Sequence, residues 1–170
     1  MNVQVNPAGY VLLGDHTFRC ALGRSGISDT KHEGDGATPV GTLPLGRVFY
    51  RADRLENPPR TGLDIVAIHQ NMGWCDDPEH SDYNTLIALP HIARHEKLWR
   101  DDHVYDVVVE ILYNANPVLP HRGSAIFMHV AKPGFTPTEG CIALKISDLL
   151  LLLSHCNKGD FLHVPRLGQP

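Results

Sequence analysis

The residues of this chain best suited to chemistry gather in one stretch, Ser124-Ala125-Ile126-Phe127-Met128-His129-Val130-Ala131-Lys132-Pro133-Gly134-Phe135-Thr136-Pro137-Thr138-Glu139-Gly140-Cys141-Ile142-Ala143-Leu144. His129 ends an apolar run that reads as a strand. The loop 130–139 is rich in Pro and Gly and turns the chain back, and Cys141 follows a glycine that permits a tight turn. The thiolate is the attacking form of cysteine, and a neighbouring imidazole can take the thiol proton or, once charged, lower a thiol pKa of about 8.5. The Gly140 and Cys141 N–H groups, if they converge, can hold the oxyanion formed when a carbonyl is attacked. The pair therefore predicts nucleophilic acyl transfer, with Cys141 as nucleophile and His129 as base. On residue types alone a second reading stays open: a structural histidine at a strand end, beside an incidental Gly-Cys dipeptide.

The other thiols read differently. Cys20 and Cys156 have apolar neighbourhoods and are expected to be small buried hydrophobes. Cys75 sits in the polar stretch 71–84, with His69, Asp76, Asp77, His80 and Asp82 close in sequence. That spacing fits no structural zinc pattern, so a solvated loop is expected there and a metal site is not. No CxxC occurs, which excludes a zinc ribbon and a thioredoxin-type motif.

Apolar alternation and short runs bounded by Gly, Pro and Asp predict strands at 10–13, 17–22, 46–51, 64–69, 104–113, 125–130 and 161–164. The richest is 104–113, expected to be a central strand with one wetter and one buried face. A helix is expected over 147–153, where Ser147 and Asp148 supply a cap and an acidic first turn and Gly159 punctuates the exit. A shorter helix is expected over 93–100, and a long loop over 71–84.

At 170 residues, with 42% hydrophobic and 20% charged residues, the chain is expected to be one domain, 1–170, that buries its own core. Fifteen Gly and 13 Pro favour a turn-rich, mostly β fold. A net charge of −4 offers no basic stripe to neutralise phosphates, so no nucleic acid is expected as partner. The longest apolar run, 149–153, is far short of the roughly 18 residues of a membrane span. Met1-Asn2-Val3-Gln4-Val5-Asn6-Pro7 lacks the basic start and apolar core of a secretory signal, which leaves a cytoplasmic location open.

Around the reactive pair the sequence resembles the L,D-transpeptidase catalytic domain family, in which a strand-borne His precedes a Ser/Thr-x-Gly-Cys nucleophile motif. Thr138-Glu139-Gly140-Cys141 matches that motif, and Thr38-Pro39-Val40-Gly41 resembles the family's upstream Thr-Pro-x-Gly segment. Met72-Gly73-Trp74-Cys75-Asp76-Asp77, Tyr113-Asn114 and Pro137 to Cys141 resemble one subgroup most closely. The resemblance implies a small β-sandwich with one or two short helices and no cofactor. It also implies attack by Cys141 on a peptidoglycan stem peptide to give a thioester, oriented by a backbone carbonyl behind His129. Carbapenem-type inhibitors would acylate the same thiol, and the substrate would lie in the periplasm or cell envelope. Thr138, Glu139, Trp74, Arg122 and Lys132, with Arg100, are the implied substrate contacts. Many members carry His at the position of Glu139 and Arg at that of Ala143. Amine transfer, hydrolysis as an L,D-carboxypeptidase or amidase, and a non-catalytic wall-binding role all remain open on the sequence.

Overall fold

The computed structural model describes residues 2–168. Along the chain run β1 (Asn2–Asn6), β2 (Tyr10–Leu13), β3 (His16–Ala21), β4 (Ile27–Ser28), β5 (Thr38–Pro39), β6 (Gly41–Tyr50), β7 (Ile65–Ala67), β8 (Met72–Cys75), β9 (Leu86–Ala88), β10 (His95–Lys97), β11 (Val107–Ile111), β12 (Phe127–Val130), β13 (Ile142–Leu144), helix α1 (Ile146–Leu153) and β14 (Phe161–Val164). The expected β-rich architecture takes the form of a sheet that closes on itself. Strands β11-β12-β13-β3-β2-β1-β14-β6 follow one another, and β6 pairs back onto β11 while also carrying β7. Strand β6 does this by being long: its start pairs with β14 and its end with β11. Alternation supplies the interior, as in β1, where Val3 and Val5 point inward and Asn2, Gln4 and Asn6 outward.

Strand β11 is central, but all five of its residues are buried, so the wetter face expected for it is not there. Val107, Val109 and Ile111 enter the main core, and Val108 enters a second cluster with Phe49, Trp74, Phe127 and Cys141. Its Glu110 is neutralised by a forked pair of hydrogen bonds from Arg47, at 2.9 and 3.1 Å. The strand is also shorter than expected, because 104–106 form a turn.

Helix α1 packs on β12, the strand that bears His129, through fully buried Leu149, Leu152 and Leu153. Burying each leucine contributes about 1.5–3 kcal/mol relative to exposure. Its N-cap is Lys145 rather than Ser147, whose hydroxyl turns to Asp148.

The segment expected to be a helix at 93–100 is instead strand β10, which pairs antiparallel with β8. Likewise 71–84 is not all loop, since β8 lies within it and pairs on its other side with β9. Tertiary pairing overrides weak local preference here: Trp74 and Cys75 from β8, Ile87 from β9 and Leu98 beside β10 are all buried. Cys75 is therefore a core residue and not a loop thiol. Cys20 and Cys156 are buried as expected.

Candidate active site

Strands β12 and β13 run parallel in the register Met128↔Ile142, His129↔Ala143 and Val130↔Leu144. Side chains alternate across this pair: Met128, Val130, Ile142 and Leu144 enter the main core, whereas Phe127, His129, Cys141 and Ala143 share the other face. Cys141, one residue before β13, thus stands on the same face as His129 and two positions along. Both line a cavity of about 440 Å³, within the usual range for small-molecule sites.

The turn that presents Cys141 is locked by Thr138. Its hydroxyl donates to the Cys141 carbonyl at 2.6 Å and accepts the Gly140 N–H at 3.1 Å. Gly140 has φ +132°, and a Cβ there would lie 2.7 Å from the Ala37 carbonyl oxygen. Ala37, just before the upstream Thr-Pro-x-Gly segment, is therefore the seat of the candidate nucleophile turn. Beside it the Thr38 hydroxyl accepts the Gly23 N–H at 2.9 Å, while the Arg24 N–H holds the Thr138 carbonyl at 2.7 Å. The Gly140 N–H expected in an oxyanion hole is committed to Thr138. Among the described residues no acceptor is found for the Cys141 N–H.

The two candidate reactive groups, Cys141 and His129, rest uncharged. The His129 Nδ1 lies 3.0 Å from the Val130 carbonyl, which can only accept, so Nδ1 carries the proton and Nε2 is the basic nitrogen. Burial holds the His129 pKa down at about 4. Burial also pushes the Cys141 thiol up to about 12, against the Phe127 N–H that points at Sγ from 3.4 Å. The thiol donates to the Ala125 carbonyl at 3.2 Å. Cys20 and Cys156 are likewise pushed up to about 12. What singles out Cys141 is therefore not acidity but an imidazole on the same cavity wall.

The cavity wall also holds residues that sequence reasoning missed, namely Lys31, Glu33, Glu96, Tyr105 and Ser124. Tyr105 sets its ring edge-on to His129, with centroids 5.5 Å apart, and its hydroxyl donates to Glu96 Oε1 at 2.8 Å. Lys31 is a buried cation paired with Asp35 at 2.6 Å. Only its spacing of four residues from Asp35 hinted at this pair in the sequence.

Of the expected substrate contacts, Thr138, Glu139, Lys132 and Arg100 border the cavity, whereas Arg122 and Trp74 do not. Glu139 is paired with Arg24 at 3.0 Å, and Arg100 makes a forked pair with Asp102. Arg122 is exposed elsewhere, and its carbonyl accepts from the Tyr113 hydroxyl. Trp74 is buried behind the wall, edge-on to Phe127, and donates to Asn84 Oδ1 at 3.0 Å. The same Oδ1 accepts the Ala125 N–H at 3.0 Å, while Asn84 Nδ2 donates to the Tyr113 and Asn114 carbonyls. Asn84 thus fixes Ala125, held at φ 52°, whose carbonyl in turn holds the thiol. Trp74 and Tyr113-Asn114 act through this hub. Asn84→Leu leaves two N–H donors and two carbonyls unpaired, and is expected to cost at least about 3 kcal/mol, read as a fall in the urea midpoint.

Away from the cavity, His80, Asp82 and His91 bring ligand-type atoms within 4.8 Å of one another. Their hydrogen bonds oppose metal binding. His91 Nδ1 accepts the Ala93 N–H, so its Nε2 carries the proton directed at Asp82 Oδ2, 3.1 Å away. His80 Nδ1 accepts the Asp82 N–H. A ligating imidazole needs the reverse, with its other nitrogen protonated and donating. The trio is a hydrogen-bonded clamp on its loop.

Against known proteins, the family model for the L,D-transpeptidase catalytic domain (YkuD) matches residues 5–164. The curated proteins offer no match. Among solved structures, a point mutant of Pgp2, the helical cell shape determining protein of Campylobacter jejuni, is similar over 99% of this chain and 47% of its own. Its sequence identity is 16% and its TM-score 0.51. Unmutated Pgp2 gives 16% identity, 99% and 48% coverage and a TM-score of 0.48. The chain spans about half the length of these structures, and the likeness is one of fold. With the family match running from β1 to the end of β14, the chain belongs to the L,D-transpeptidase catalytic domain family.

Proposed function

We propose that this chain is a cysteine acyltransferase acting on peptidoglycan stem peptides through a Cys141 thioester. The observation that carries the reading is the placement of Cys141 and His129 on one face of β12–β13, at the wall of a cavity edged by Arg100 and Lys132. The Cys141 sulfur attacks a peptide carbonyl of the donor stem as His129 Nε2 takes the thiol proton. The Cys141 N–H is the donor available to the developing oxyanion. As the carbon–nitrogen bond breaks, His129 returns that proton to the leaving amine, and the acyl group remains on sulfur. Lys132 at the rim supplies a cation for a stem carboxylate. The family's substrate class supports a site of action in the cell envelope.

The test is acylation. Incubated with a carbapenem or a disaccharide tetrapeptide, the protein is expected to gain the mass of one acyl group, and peptide mapping is expected to locate it on Cys141. An adduct on Cys20, Cys75 or Cys156, or no adduct, overturns the reading and favours a wall-binding role.

A further inference from the structure

The cavity contains a carboxylate that the acylation step does not use. Glu96 projects from β10, and its Oε1 accepts the Tyr105 hydroxyl. No partner is found for its Oε2 among the described residues, yet no buried side-chain oxygen lacks a hydrogen bond. Oε2 therefore opens onto the cavity. Among the described residues no cation is ion-paired with Glu96: Arg100 is paired with Asp102, and Arg94 with Asp76. Among charged groups, Glu96 acts most strongly on the Cys141 thiol. A carboxylate that shares the cavity wall with Cys141 and has no counter-ion can form half of an ion pair whose other half comes with a bound ligand.

Resting on the acyltransferase reading, we propose that Glu96 receives the ammonium of the incoming acyl acceptor and takes its first proton, so that amine rather than water resolves the Cys141 thioester. The ammonium docks against Oε2 and gives one proton to Glu96. The neutral amine then attacks the thioester carbonyl. As the carbon–nitrogen bond forms, the second nitrogen proton passes to His129 Nε2. The carbon–sulfur bond breaks, and the departing thiolate takes that proton from His129. Glu96 releases its proton to solvent, so one amide, one thiol and one proton result from one thioester and one ammonium. Burial raises the Glu96 pKa to about 7, against the Tyr105 hydrogen bond, with Asp76 and Glu33 also raising it and Arg100 lowering it. That value suits a base that must accept and then release a proton near neutrality.

The experiment is a competition on the acylated enzyme between a D-amino acid, whose amine is cationic at neutral pH, and hydroxylamine, which is uncharged. Glu96→Gln keeps an acceptor for Tyr105 but loses the charge. It is expected to lower the preference for the cationic amine about tenfold or more, the loss of one charge-assisted contact, and Glu96→Asp is expected to recover part of it. A merely structural role would slow both acceptors alike. A ratio unchanged in Glu96→Gln, a ratio that shifts in Glu33→Gln instead, or a wild-type thioester that yields only hydrolysis overturns the proposal while leaving Cys141 acylation standing. Absence of any Cys141 adduct overturns both readings.

Discussion

His129→Ala is expected to slow acylation of Cys141 by about 10²–10⁴-fold, the usual contribution of a positioned general base, measured as the rate of carbapenem adduct formation. The expectation follows from the resting charges. With the imidazole held near 4 and the thiol near 12, the pair does not exist as thiolate and imidazolium before substrate arrives. Each charge alone is disfavoured by burial; at rest the thiol proton is held by the Ala125 carbonyl, with no Cys141–His129 hydrogen bond among the described residues, so the thiol must turn from that carbonyl before its proton passes to Nε2 and both charges form at once on one wall. Without the imidazole the thiol must ionise alone. In Glu96→Gln, which removes the cavity carboxylate that titrates at about 7, the acylation rate is accordingly expected to stay flat with pH between limits set by His129 at about 4 and Cys141 at about 12. A sigmoid centred on an ordinary imidazole, about 6.5, would overturn this account.

Stability should carry the same signature. Between 6.5 and about 4 the unfolded chain binds a proton at His129 that the folded chain refuses, so stability falls on acidification through that window. Glu96 works in the opposite direction, because its pKa is raised from 4.5 to about 7 and its contribution is lost as pH rises between them. The two offset in the wild type. In Glu96→Gln the His129 dependence is expected to emerge as an acid limb in the urea midpoint.

These groups were not equally legible in the sequence. His129 and Cys141 could be read because the strand, loop and glycine turn that join them are contiguous, so local rules govern their meeting. The fold class could be read for the same reason, from short alternating runs and turn formers. Glu96 could not, because nothing local marks 93–100 as a strand, and the segment becomes one only by pairing with β8. Cys75 and Trp74 stood among turn formers, and their burial depends on β9 and β10, which are distant in sequence. Asn84 offered no local signal, since the groups it joins come from β8, the end of β11 and the start of β12.

The glycine before the nucleophile brings local and long-range demands to one atom. Gly140→Ala is expected to reduce Cys141 acylation by about 100-fold, the effect of a displacement of about 1 Å at the reacting atom. At φ +132° any side chain is strained, and the added Cβ would meet a backbone oxygen, Ala37 O, at 2.7 Å. Backbone cannot swing aside as a flexible side chain can, so the turn that carries Cys141 must lift from Ala37. Lifting it loosens the Thr138 hydroxyl from the Cys141 carbonyl and the Gly140 N–H, the two bonds that aim Sγ. Gly134→Ala provides the contrast. It has φ +78° but nothing within 4 Å of the new Cβ, so it should cost only about 1–2 kcal/mol of backbone strain and leave the acylation rate within about threefold, a change worth under 1 kcal/mol. Equal losses in the two variants would mean that strain in the loop, and not contact with the Ala37 carbonyl, sets the position of the sulfur.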